Sequence, residues 1–341
     1  MESVSHNRKV KTAIAEIQTQ TDAAHSVEDL VQAVNIAAQL QQPLKYDHQP
    51  HYLAGAMLLL LSAGTGVYQY FASHLVNEFT FVLMVIPVIA AIVIFGYSYG
   101  QNRSLRGLSD QIYLKNLLFD NALEIIEVNP EAEAKALERQ FDEFDRGNHS
   151  RKIEALYKGR YQGERHAFDY RYFHFHYVDK EVTTRTDSNG KTRTETTYHH
   201  YNRYGVYLDF PFVSSLKIVS DSPSFWKKNQ YRTASNQFNR LFNVYAAEEM
   251  IAARFLKPAI IVALEEFCRD FKAVNLEFND RSALCLSFKN GELFARKRSY
   301  GLDSPNLFIE ELREQHLSDG LQQVLGLINN LMTHSDSNFT R

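Results

Sequence analysis

Phe79-Thr-Phe-Val-Leu-Met-Val-Ile-Pro-Val-Ile-Ala-Ala-Ile-Val-Ile-Phe-Gly-Tyr-Ser-Tyr99 decides the architecture, because it contains no Asp, Glu, Lys or Arg. At about 1.5 Å per residue, a helix of this length matches a hydrocarbon core of about 30 Å. Pro87 is no obstacle, since neighbouring groups in a bundle satisfy the carbonyl that it frees. A second stretch of the same kind, Tyr52 to Ala72, carries the leucine block Leu58 to Leu61 and small residues at Gly55, Ser62, Ala63 and Gly66. Ser62 and Gly66 are four apart and share a helix face, where another helix can approach closely. Between His48 and Asn102 the one formally charged residue is Glu78. Average composition would put roughly a dozen there. Tyr52, Tyr68, Tyr70, Tyr97 and Tyr99 fall near the ends, as an interfacial aromatic belt would. The expectation is a transmembrane hairpin over 52–99, with spans 52–72 and 79–99. A buried hairpin of a soluble protein would be shorter and would bear a polar stripe. About fifty mostly polar residues precede the first apolar run, so a signal peptide is not expected. Gly64-Thr-Gly66 lacks the Lys-Ser/Thr of a phosphate loop, and helix packing is its better reading.

Basic residues orient the hairpin. The connection Ser73 to Glu78 has none, Lys45 precedes the first span, and Arg103, Arg106 and Lys115 follow the second. Positive-inside places both flanks in the cytoplasm, and the expected location is a bacterial inner membrane crossed twice.

Outside the hairpin the pattern is α+β. Residues 1–50 read as a cytoplasmic N-terminal helical segment: Ile14, Ile17, Val27, Leu30, Val31, Val34 and Leu40 recur at helical spacing. Ser26 with Asp29 forms a capping box that restarts the helix. Residues 100–150 read as a helical stalk, Leu105 to Glu127 and then Pro130 to Phe144, ending near Gly147. The lower apolar stripes are expected to pack together, so that Met1 to Gln41 covers the segment after the second span. From 151 to 335 a cytoplasmic α+β domain is expected. Its meander comprises Ile153–Tyr161, His166–Val178, Thr192–Phe210 and Leu216–Val219, with a turn at Ser188-Asn189-Gly190. Helices follow over Ala246–Leu256 and Pro258–Asp270. Strands at Asn275–Phe278, Ala283–Phe288 and Leu293–Arg298 come next, the last two joined by Asn290-Gly291, and helices close the chain from Asn306 to Met332.

The chemistry-bearing residues point to no reaction. His174-Phe-His176 and His199-His200 invite a zinc reading, because His at i and i+2 share a strand face. With Asn189-Gly190 as a two-residue turn, His176 faces Arg203, His174 faces Gly205 and His199 faces Lys180. The two groups are then about four residues out of step, roughly 13 Å along the strand, and no metal site is expected. Glu248-Glu249 and Glu265-Glu266 are consecutive in helices, point about 100° apart and read as solvated faces. Cys268 and Cys285 have apolar neighbours and read as buried free thiols. GxSxG, Walker A, HExxH, CxxC and dinucleotide motifs are absent from the sequence. No cofactor is expected. A net charge of −3 gives no basic face for nucleic acid. Two basic groups remain, Trp226-Lys227-Lys228 with Arg232 and Arg296-Lys297-Arg298. They are ordinary surface or, beside a bilayer, contacts to anionic lipid headgroups.

The order of Tyr157-Lys-Gly-Arg-Tyr161, Phe238-Asn-Arg-Leu-Phe-Asn-Val-Tyr-Ala246, Phe255-Leu-Lys-Pro258 and Leu286-Ser-Phe-Lys-Asn-Gly291 after a two-span hairpin resembles one family. It is a bacterial membrane-protein family catalogued as a domain of unknown function (number three-one-three-seven) and associated with LemA-type proteins. The likeness covers roughly residues 50 to 335. It implies the topology and a bacterial source, and it brings no catalytic residues; the polar insert Thr183 to Thr197 departs from the pattern. The expected function is a membrane-anchored interaction or scaffold module working with partner proteins of the membrane. The alternatives are a membrane-tethered enzyme of unrecognised type and an anionic-lipid-binding domain.

Overall fold

Ten helices and a nine-stranded antiparallel sheet make up the computed structural model, which describes residues 2–40, 44–72, 78–186, 192–220, 230–291, 293–294 and 296–339. The chain divides into two compact units. One comprises Met1–Asp120 and Arg296–His316, the other Asn121–Ala295 and Leu317–Arg341.

The first unit is helical: α1 (Glu2–Ala23), α2 (Val27–Ala38), α3 (Gln49–Ala72), α4 (Glu78–Asp120) and, from much later in the chain, Pro305–Arg313. The expected restart at Ser26 is present. Its hydroxyl accepts from the Asp29 amide at 3.2 Å, and Asp29 Oδ2 accepts from the His25 amide at 2.9 Å. α3 and the first half of α4 are long and apolar enough to cross a membrane. They pair through small residues: Ser62 Oγ donates to the Met84 carbonyl at 2.7 Å, Gly66 lies against the Met84 side chain and Gly55 against the Phe95 ring. Their other faces are bare, with Leu60 71% and Ile92 64% exposed. Below them one core gathers Val10, Ile17, Leu30, Val34, Leu108, Ile112, Leu117, Phe308 and Leu312. α1 and α2 thus cover the lower half of α4. Their partner in this task is the late helix Pro305–Arg313; residues 121–150, expected in the stalk, belong to the other unit.

In that second unit the helix expected to reach Glu127 stops at Asp120. Ala122 takes a positive φ of 52°, and Leu123–Ile125 forms β1. α5 (Pro130–Glu138) is capped by Asn129, whose side chain accepts from the Ala132 amide, and a single 3-10 turn follows at Asp142–Asp145. Strands β2 (Ser150–Gln162), β3 (Ala167–Thr186), β4 (Thr192–Asp209) and β5 (Leu216–Val219) fall where aromatic and β-branched residues alternate. Next come β6 (Gln230–Tyr231), α6 (Phe238–Leu241), β7 (Asn243–Ala246), α7 (Glu249–Phe255), α8 (Pro258–Asp270), β8 (Asn275–Phe278) and β9 (Ala283–Phe288). The chain continues through α9 (Pro305–Arg313, in the first unit) to α10 (Asp319–Phe339), which packs on α8. The sheet order is β1-β2-β3-β4-β9-β8-β5-β7-β6, so β9 and β8 separate β5 from the meander that the sequence suggested. The strand expected at Leu293–Arg298 does not form. Its described residues are turn and irregular chain, and Phe294 packs edge-on against Tyr157 and Tyr172.

The β3–β4 register also differs from expectation. His176 pairs with Asn202, His174 with Tyr204 and Thr186 with Thr192, one residue out from the two-residue turn. The expected turn at Ser188-Asn189-Gly190 lies outside the described residues. A slip of one exchanges the faces of every side chain on the strand. Arg203, Gly205 and Tyr207 consequently share the face of Phe173 and Phe175, against Phe141 and Phe144. At Gly205 a Cβ would lie 2.1 Å from the Leu286 carbonyl oxygen, so β4 and β9 approach here only without a side chain.

On this face the 3-10 turn is clamped to the sheet by buried charge. Arg203, fully buried, donates to Glu143, to the Ala273 carbonyl at 2.8 Å and to Ser287 Oγ at 2.7 Å. Arg146 and Asn275 also donate to the Glu143 carboxylate. Glu277 accepts the amides of Asp142 and Glu143, and Lys217 pairs with both Glu277 and Asp142. Burial alone would raise the Glu143 carboxyl, but Arg203, Arg146 and Asn275 outweigh it and hold the group below the ordinary carboxylate range. At Glu277 burial prevails over Lys217, and the carboxyl lies above that range. Glu143 therefore stabilises the fold fully above the ordinary carboxylate pKa and loses that contribution as pH falls through its lower folded value. Glu277 has the opposite sign, favouring the fold more as pH drops through its raised value.

Two outcomes are expected. Deleting Met1 to Gln41 strips the cover from Leu108, Ile112 and Leu117, and should lower the melting temperature of the detergent-solubilised protein; unchanged melting would show that α1 and α2 contribute nothing to this core. Arg203→Met removes one of the two guanidinium partners of Glu143, leaves Arg146 and Asn275 on the carboxylate, and should cost about 1–3 kcal/mol in denaturant unfolding. Glu143→Leu, which takes the carboxylate from Arg203 and Arg146 together, should cost more, and an equal or smaller loss would mean that packing, not charge, sets the cost.

Candidate functional site

Lys45-Tyr-Asp-His-Gln49 leads into α3, and the side chains of this segment are fixed one by one. Asp47 Oδ1 accepts from the amide of Gln49, the first residue of α3, at 3.0 Å. Asn7 of α1 bonds the Asp47 backbone twice, accepting from its amide at 2.8 Å and donating to its carbonyl at 2.9 Å. His6 meets the Lys45 carbonyl at 2.9 Å. His48, only 6% exposed, stacks on Tyr46 and reaches Asn102 Oδ1 of α4 at 3.1 Å. The far wall is set by Ser109, which donates to Leu105 O and accepts from the Leu302 amide. Arg298 donates to Asp110 at 2.7 Å and to the carbonyls of Tyr300 and Arg106.

Together these groups enclose a cleft of about 760 Å³, all within the first unit. Lys45, Arg106 and Arg298 line it with His6, His48, Tyr52 and Asn102, and the carboxylates present are Asp47 and Asp303. Arg298 is committed to Asp110, and Asp47 to the start of α3. Among the described residues no hydrogen bond or ion pair engages the side chains of Lys45 and Arg106, which are exposed. The cleft can therefore present two open cations beside a neutral amide and an imidazole. That arrangement suits an anion and offers no nucleophile–base pair. Of the two basic groups singled out in the sequence, Arg298 belongs here and Arg296 and Lys297 are exposed. Trp226, Lys227 and Lys228 lie outside the described residues, and Arg232 is exposed. Lys45 and Arg106 were legible as orientation charges, but their meeting in one cleft depends on the hairpin and on α1.

The remaining sequence candidates are placed as follows. With the observed register, His200 replaces His199 on the face of His174 and His176, so the four-residue offset does not hold. His176 Nε2 lies 3.2 Å from His200 Nδ1 and the rings stack at 5.3 Å. His174 bonds Asn202 and stacks on Tyr204, while His199 points the other way, 3.3 Å from Glu181. Glu154 is 3.8 Å from His176 Nδ1, on the ring edge opposite His200. Burial pulls the His176 imidazole below its ordinary value. Among the described residues no group of three or more His, Cys, Asp or Glu side chains is arranged to hold a metal ion. Glu248 and Glu249 are exposed, and Glu265 accepts from Ser235 Oγ at 2.7 Å. Both cysteines are free thiols, and burial pushes Cys268 up to about 12 and Cys285 well above its usual value. Neither is poised as a nucleophile.

Replacing His174 and His176 together by Gln should leave the metal content of protein purified without added metal unchanged. Stoichiometric zinc lost in the double variant, read by elemental analysis, would show that His176 and His200 recruit a third ligand. No family model matches this chain, and neither a curated protein nor a solved structure does.

Proposed function

We propose that this chain is a membrane-anchored module: α3 and the first half of α4 cross a bacterial inner membrane as a hairpin. The α+β unit serves as an interaction or scaffold surface in the cytoplasm, for partner proteins of that membrane. One observation carries the anchoring. Of the most apolar windows in the two helices, 6% and 17% is buried, which supports membrane spans over the core helices of a soluble domain. Exposed Leu60, Phe71, Ile86, Ile92 and Val93 need an apolar solvent around them.

The positive-inside distribution supports the cytoplasmic assignment, with Lys45, Arg103 and Arg106 beside one end of the spans and no basic residue from Ser73 to Glu78. Support for the scaffold reading comes from the second unit. Over Asp179–Thr186 and Thr192–His200 the β3–β4 ribbon runs beyond the last strand pairs made by β2 and β9, and its described β4 side is exposed. A projecting ribbon whose β4 edge is open can accept another protein by strand addition.

Reporter fusions test the topology. A fluorescent protein fused after Arg341 should be bright and alkaline phosphatase at the same place inactive. Active phosphatase there would reverse the orientation.

A further inference from the structure

We infer that the cleft at the base of the hairpin binds the phosphate of an anionic phospholipid headgroup, an inference that rests on the membrane reading above. Its position and its two open cations point the same way.

Asn102, which lines the cleft, follows the last residue of the apolar run, Tyr99, by three positions, and Arg106 follows it by seven. Along a helix these are about 5 and 10 Å beyond the hydrocarbon. The headgroup layer, about 5–8 Å thick on each side, occupies that depth, and the stem of an arginine spans the remainder. Tyr52, at the start of the first apolar run, gives the same cleft an apolar wall where acyl chains would begin.

Two open cations supply the attraction. Arg298 is paired with Asp110, and Lys45 and Arg106, whose side chains engage no hydrogen bond or ion pair among the described residues, share the cleft with the carboxylates Asp47 and Asp303. Free phosphate shares this chemistry. The two apolar helices running directly from the cleft favour the lipid source.

The test uses the full chain, delipidated in detergent and then titrated with phosphatidylglycerol or phosphatidylcholine, with bound lipid counted by native mass spectrometry. One phosphatidylglycerol should be retained in preference to phosphatidylcholine. K45Q/R106Q removes both open cations and should weaken that retention about thirtyfold, at the usual worth of a basic residue near an anionic surface. D303N should strengthen it, a gain that misfolding cannot imitate. Equal retention of the two lipids, or an unchanged preference in K45Q/R106Q, would overturn the site. Inorganic phosphate binding as tightly as the lipid would overturn the lipid source. An alkaline carbonate wash separates the two readings. Release of the chain from membranes would sink the anchoring itself, whereas a retained chain without lipid preference would sink the site alone.

Discussion

The second unit is organised around one ion pair that water never reaches. Glu143 and Arg203 are both buried, and each carries more hydrogen bonds than the pair itself supplies. Burying two charges costs several kcal/mol each, and the cost is offset only where every lone pair and N–H finds a partner. Here the partners come from the 3-10 turn, β4, β8, β9 and the chain just before β8. The requirement of full satisfaction therefore fixes how these elements meet. Apolar packing would tolerate a small slide of the turn over the sheet; a fork of N–H groups aimed at one carboxylate does not. Phe141 and Phe144, either side of the acidic pair Asp142-Glu143, are seated on the sheet by the same contact.

The first unit is held by a different constraint, the need to cover the apolar stripe of α4 below its exposed half. Two helices from the start of the chain and one from near its end share that task. The chain leaves α4 for some 175 residues of α+β unit and returns at Arg296 to complete the helical core. Ser109 marks the junction, bonding Leu105 behind it and the Leu302 amide of the returning segment.

Local pattern made much of this legible. The hairpin, the Ser26 cap, Pro130 and Pro258 at the starts of α5 and α8, and strands β2 to β5, β8 and β9 all follow from composition and period. The failures have identifiable causes. Leu123 and Ile125 continue an apolar rhythm that also suits a helix, and pairing with Tyr157 and Gly159 of β2 decides for strand. Leu293–Arg298 alternates like a strand, yet Phe294 is drawn to Tyr157 and Tyr172 and Arg298 to Asp110. The β3–β4 register was read from a turn type, while the pairing meets the demand that Arg203 face Glu143. An arginine among aromatics on a strand looks like a solvent-side residue until its partner sixty positions earlier is known. The cleft was invisible for the same reason, since Lys45, Arg106 and Asp303 are far apart in sequence.

The projecting part of the β3–β4 ribbon has a consequence for how stability is distributed. Beyond the Val178–His200 pair the Asn148 side chain bonds the Lys180 amide and carbonyl, and past Lys180 the described strand pairs join only β3 and β4, with Arg185 opposite Arg193 as a like-charged pair. Such a ribbon lacks a third strand or an apolar face to make its opening cooperative with the sheet. It can fray from its far end inward while the clamp around Arg203 stays closed, so its amides should exchange on a local free-energy scale rather than the global one. Whatever grips the ribbon would have to supply the ordering free energy from its own contacts. Affinity there would report the partner's contacts alone, independent of how firmly the rest of the unit is folded.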